Sequence, residues 1–179
     1  PADLFFVFAG VLEGPSNNVA RKTARAADTG EGAIDAGSEG ISRELYDKLR
    51  RKTPSKEMQR MVNQGRVGPY PDPALKGFVD DVLQADHTVP MKEIVDMPGF
   101  SKLTFDQQVE VLNYRRNFVG LTRSANASKG AKSWFEWTMH IKSGTPVDAH
   151  FARKMQRKYL RVRYDLQELI NVRLLSVFE

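Results

Sequence analysis

The sequence predicts an α+β fold, predominantly helical, and three patterns carry that prediction. Two short segments, 82–87 and 117–122, alternate well enough to be strands, and both are bounded by turn residues. Capped stretches of helical period surround them, the clearest being Thr104-Phe105-Asp106-Gln107, a capping box. The chain closes on Thr145-Pro146-Val147-Asp148, a helix start. It is followed by Phe151, Met155, Tyr159, Val162, Leu166, Leu169 and Ile170 along one stripe of a long helix.

Residues 1–40 are rich in Gly, Ala, Ser and Asp and read as an extension or linker, with one short helix around 18–27. The chain opens on Pro1, which suggests a piece of something longer. Residues 41–72 read as a helical N-terminal part. Ser42 caps a first helix, Thr53-Pro54 serves as cap and first-turn proline of a second, and Gly65 ends it. The turn-rich run Gly68-Pro69-Tyr70-Pro71-Asp72-Pro73 marks a boundary, so 73–179 is expected to form the main domain. Inside it, Val109, Leu112 and Phe105 face inward from the Thr104 helix. A further helix from about Ser124 carries Trp134, Phe135, Trp137 and Met139. These aromatics either plug the core or stack on nucleobases.

Composition narrows the chemistry. With no cysteine, neither a disulfide framework nor a thiolate zinc site can form. The longest apolar run, Leu4 to Leu12, is too short for a membrane-spanning helix. A net charge of +5 leans toward a polyanionic partner. Residues 1–50 are near neutral or acidic, whereas bases dominate from Arg115 onward and line one side of the last helix at Arg153, Lys154, Arg157 and Arg161. That side suits backbone phosphates and, equally, an acidic protein.

The candidate site begins with Asp86-His87, a carboxylate and an imidazole at a strand end before Val89-Pro90. Cutting a phosphodiester needs a base for water and neutralisation of the phosphate and the leaving oxygen. Histidine suits the first task and a divalent cation the others. The Asn126 amide oxygen can join Asp86 as a neutral second ligand, leaving the cation positive enough to draw a phosphate. The Asn117 side-chain carbonyl can accept from the far ring nitrogen of His87 and fix its tautomer. Arg116, Arg123, Lys129 and Lys132 are the expected substrate contacts. His140 and His150 read as structural or surface residues.

Asp-His-x-Val-Pro, then Asn-x-Val, then Leu-Thr-Arg-Ser-x-Asn-x-Ser-Lys-Gly resembles the HNH, or ββα-metal, nuclease superfamily over roughly residues 80 to 140. The likeness is close over 117–132, where RNA-guided CRISPR nucleases carry a similar segment. The resemblance implies a ββα-metal motif with flanking helices, Asp86 and Asn126 as metal ligands, His87 as general base and Asn117 as its orienter. It implies one divalent ion, Mg2+ first, with Mn2+, Zn2+ or Ni2+ as alternatives, and DNA cleavage with little sequence specificity. The sequence departs from many members in lacking Cys-x-x-Cys knuckles and in a longer insert between His87 and Asn117. With its basic tail, the arrangement is similar to toxin-type HNH domains of bacterial polymorphic toxins and secretion-system effectors. That likeness implies secretion or injection into a target cell's cytoplasm and a cognate immunity protein; without it, the expected location is cytoplasmic. The rival expectation is a degenerate HNH domain that binds nucleic acid or a protein without catalysis.

Overall fold

Ser42, Ser55, Thr104, Thr122 and Asp148 each offer a side-chain oxygen to a free amide at a helix start, and these caps set most helical boundaries. The computed structural model describes residues 40–79 and 81–176. The apolar run at 4–12 and the expected helix at 18–27 lie outside the described residues. Within them the order is α1 (Arg43–Arg50), α2 (Lys56–Asn63), β1 (Tyr70–Pro71), β2 (Phe78–Val79), β3 (Gln84–His87), α3 (Met91–Val95), α4 (Phe105–Leu112), β4 (Phe118–Leu121), α5 (Arg123–Lys129) and α6 (Ala149–Leu175). Single 3-10 turns fall at Phe100–Lys102 and Arg115–Asn117. The class is α+β with two small antiparallel sheets, β1–β2 and β3–β4. No described helix is long and apolar enough to cross a membrane.

The two strands expected at 82–87 and 117–122 pair with each other. Asp86 stands opposite Val119 and His87 opposite Phe118, so the candidate base sits at the end of the ladder. Thr122 alone separates β4 from α5, which completes a strand–strand–helix unit interrupted by the α3–α4 insert. Helix α2 lies across the ladder through Met58, Ala85 and Phe118. Gly120 permits that approach, since a Cβ there would lie 2.9 Å from Leu83 Cδ1 and 3.3 Å from Val62 Cβ.

Helix α6 is the spine. Its Met155 joins Leu121, Ala125, Trp134 and Trp137 in one apolar cluster. Further along, Val162, Leu166 and Ile170 join Leu49, Ile94, Phe100, Val111 and Leu112 in another. Tyr159 packs against both. Trp134 and Trp137 are therefore core residues, with rings 5.5 Å apart edge to face.

Four local expectations need correction. Thr53-Pro54 does not start α2, because Ser55 is the cap and the Thr53 hydroxyl points elsewhere. The helix after β4 stops at Lys129, where Gly130 adopts φ 54°, ψ −132°, a conformation costly for other residues. Trp134, Phe135, Trp137 and Met139 therefore follow α5 outside any helix, the first two in a turn and Met139 in a β-bridge with Pro146. Phe105 is exposed, and buried Gln108 takes an inward place on α4 instead. Helix α6 starts after its cap Asp148, so Thr145-Pro146 precede it rather than open it. Asp72 is buried, accepts from the amides of Ala74 and Leu75, and receives the hydroxyl of the α5 cap Thr122.

Candidate functional site

His87 and Asp86 leave β3 into a cleft of about 470 Å³, whose lining also includes Arg50, Thr53, Lys92, Asn126 and Lys129. Residues of α1 and the turn after it, β3, the start of α3, and α5 meet there.

The imidazole of His87 is half-buried and tilted against Phe118 at 4.5 Å between ring centroids. Its Nε2 lies 3.0 Å from the Leu112 carbonyl and 3.0 Å from the Thr53 hydroxyl, which itself donates to the same carbonyl at 3.1 Å. A carbonyl only accepts, so Nε2 carries the proton and Nδ1 keeps a lone pair for a base's work. Burial holds the ring's pKa down at about 4, with the Leu112 carbonyl opposing and the Lys129 charge adding to the fall. The ring is thus neutral at pH 7.

Asn117 does not touch that ring. Its Oδ1 accepts from the Val89 amide at 2.7 Å, its Nδ2 donates to the Val89 carbonyl at 3.1 Å, and its own carbonyl takes the Thr88 amide at 2.6 Å. The side chain is fully buried and staples the loop that follows His87. It is a positioning residue acting on backbone, while Leu112 and Thr53 take the tautomer-fixing place expected of it. Asn117→Ala would leave the buried Val89 amide and carbonyl unpaired, a loss of about 2–3 kcal/mol. Chemical denaturation measures it, and a variant as stable as the wild type would refute the staple.

Asp86 is buried, and Lys129, 1% exposed, brings its Nζ to 2.9 Å from Oδ2. That contact is an ion pair by distance, yet it is off the axis of a hydrogen bond, and Oδ2 has no well-directed donor. The ammonium also donates to the His87 carbonyl at 3.2 Å and sits 5.3 Å over the Trp134 ring. Burial raises the Asp86 carboxyl to about 6, against the pull of Lys129 and Lys158. Lys129 therefore faces a carboxylate in the interior, not a surface phosphate as its sequence position suggested.

The Asp86 carboxylate and the half-buried Asn126 amide both line the cleft, one anionic and one neutral oxygen donor. Among the described residues no three of His, Cys, Asp and Glu cluster as a ligand set. Two oxygen donors fit an ion that keeps most of its waters, as Mg2+ does, and Oδ2 lacks a well-directed hydrogen bond although the Lys129 ammonium is beside it. They fit poorly with tetrahedral zinc. For a cation to take Oδ2, Lys129 has to yield it.

The other expected contacts lie elsewhere. Arg123 pairs with Asp81 at 3.0 Å beside a second cleft, and Lys132 donates to the Ser128 carbonyl at 3.3 Å. Arg116 lies against α6, 3.4 Å from Asp165. The cations that do line the His87 cleft are Lys129, Arg50 and Lys92, and the sequence offered no motif that marks the latter two. His140 is buried between Ser124 Oγ at 2.9 Å on Nε2 and the Ser143 amide at 3.1 Å on Nδ1. An amide only donates, so Nε2 bears the proton and gives it to Ser124, opposite to what an activated serine needs. His140 is structural, as expected, and His150 is exposed. No family model, curated protein or solved structure matches the chain.

Proposed function

We propose that the His87 cleft is a metal-dependent phosphodiesterase site of the HNH type that cuts DNA with little sequence specificity. One observation carries the reading. A neutral imidazole with its Nε2 proton committed to the Leu112 carbonyl shares a cleft with one carboxylate and one amide oxygen, at the end of a strand–strand–helix unit. In this reading Nδ1 of His87 takes the proton of the attacking water. Asn117 holds the loop that aims the ring, and Thr53 keeps the ring in register. A divalent ion, Mg2+ first, held by Asp86 and Asn126, would neutralise the phosphate and the departing oxygen. Arg50 and Lys92 supply positive charge at the cleft. The likeness to toxin-type HNH domains extends the proposal to an antibacterial effector delivered into a target cell and held in check by an immunity protein.

Lys129 favours a second reading. An ammonium already seated on the Asp86 carboxylate is what a degenerate site would keep, and such a domain would bind nucleic acid or a partner without cutting it. Plasmid DNA incubated with the protein, Mg2+ or Mn2+ separates the two. The nuclease reading expects nicking and linearisation that EDTA stops and that His87→Ala abolishes while the variant still unfolds cooperatively. Intact plasmid under conditions where a control nuclease degrades it, or normal cutting by His87→Ala, sinks that reading. Metal-independent, salt-sensitive binding alone supports the second.

A further inference from the structure

Outside the His87 cleft, α6 and the 3-10 turn before β4 line another cavity of about 610 Å³, with five cations, Arg116, Lys154, Arg157, Lys158 and Arg161, and a single carboxylate, Asp165. Positions 154, 157, 158 and 161 share one face of the helix, and like charges at i, i+4 oppose helix formation. Asp165 is already engaged by Arg116 and by the Tyr114 hydroxyl at 3.1 Å. Lys154, Arg157 and Arg161 have no ion-pair partner among the described residues. Lys158 is half-buried, and its ammonium donates to the Phe118 carbonyl at 2.6 Å. Burial, with Lys154 alongside, pushes it down to about 8. The fold thus holds like charges side by side with one carboxylate among them, and an anion from outside would relieve their repulsion.

We propose that this cavity grips the phosphate backbone of a nucleic acid and anchors it beside the His87 cleft. The polymer's identity rests on the nuclease reading. The cations are spread over two helical turns, each about 5.4 Å in pitch, so one small anion cannot meet them all, whereas successive phosphates can. Three of the five are arginines, whose planar fork matches phosphate oxygens. Lys158 ties the cavity to the other cleft, because Phe118, whose carbonyl it holds, stands opposite His87 in the ladder and packs on its ring. A strand gripped here runs past the residue that backs the base. An acidic protein partner has no need of that proximity.

The test is fluorescence anisotropy of a labelled DNA duplex with the full chain in EDTA, between about 50 and 200 mM salt. Arg157→Gln/Arg161→Gln is expected to reduce the slope of log affinity against log salt by about 2. Both side chains are exposed, so its melt stays at the wild-type value. Lys56→Gln/Arg60→Gln removes the same charge from α2 and is expected to leave the slope unchanged. The inference is overturned if the α6 variant keeps the wild-type slope, or if the α2 variant loses as much. It is also overturned if the α6 variant holds DNA normally but loses polyglutamate, which marks an acidic protein site instead. His87→Ala keeps the failures apart: it should bind DNA as the wild type does, and if it also cuts normally the nuclease reading falls while the α6 anchor stands.

Discussion

Lys129→Met is expected to destabilise the protein by about 3–5 kcal/mol, the usual cost of leaving one member of a buried ion pair without its partner. Lys129 is 1% exposed and Asp86 only a little more, so water cannot take over the role of the missing ammonium. Asp86→Asn should cost a comparable amount, because the ammonium is then the uncompensated charge. The double variant Asp86→Asn/Lys129→Met buries no charge at this point and should recover most of the loss, making the two changes strongly non-additive. Urea unfolding of the four proteins reads this directly. Additive losses would mean that the contact at 2.9 Å does not couple the two residues energetically.

Acid should expose a second effect of similar size. Asp86 rises from 3.8 to about 6 on folding and His87 falls from 6.5 to about 4, each worth about 3 kcal/mol. Their signs oppose. The raised carboxyl makes the folded protein the better proton binder between about pH 4 and 6, so its contribution is fully present below 3.8 and lost as pH climbs through 6. The depressed imidazole makes the unfolded chain the better binder, so its contribution is present above 6.5 and lost as pH falls through 4. In the wild type the two nearly cancel across that window. Asp86→Asn should leave a stability that rises with pH from about 4 to 6.5. His87→Phe should leave one that falls from about 4 to 6. Denaturation midpoints at several pH values decide it, and parallel profiles for all three proteins would refute the pairing.

The strands were legible because alternation ending in a turn is a local signal, and the resulting register sets His87 at the ladder's end. The caps at Ser42 and Thr104 were legible for the same reason, whereas the start of α6 falls three residues later than Thr145-Pro146 suggests, at the cap Asp148. What escaped depends on distant chain. The partners of His87 are a backbone carbonyl at Leu112 and a hydroxyl at Thr53, and neither residue type announces such a role. Lys129 sits in a basic stretch that invites a solvated reading, yet α5 turns it inward over Trp134. Trp134 and Trp137 have the spacing of a helix over 124–139, but Gly130 ends α5 before them, and a single glycine is a weak signal beside that spacing. Asn117 is legible as a residue that serves His87, but its amide reaches Val89 and not the ring, a partner set by the fold of the loop.

The hydroxyl of Thr53 has one more consequence. The strand–strand–helix unit has the form of a cassette to be lifted out at residue 73 and placed in another scaffold. In this chain it is not portable. Its histidine borrows a bond from the α1–α2 turn, and its ladder borrows cover from Met58. Grafting residues 73–179 alone would carry the motif without the wall that holds its base in place.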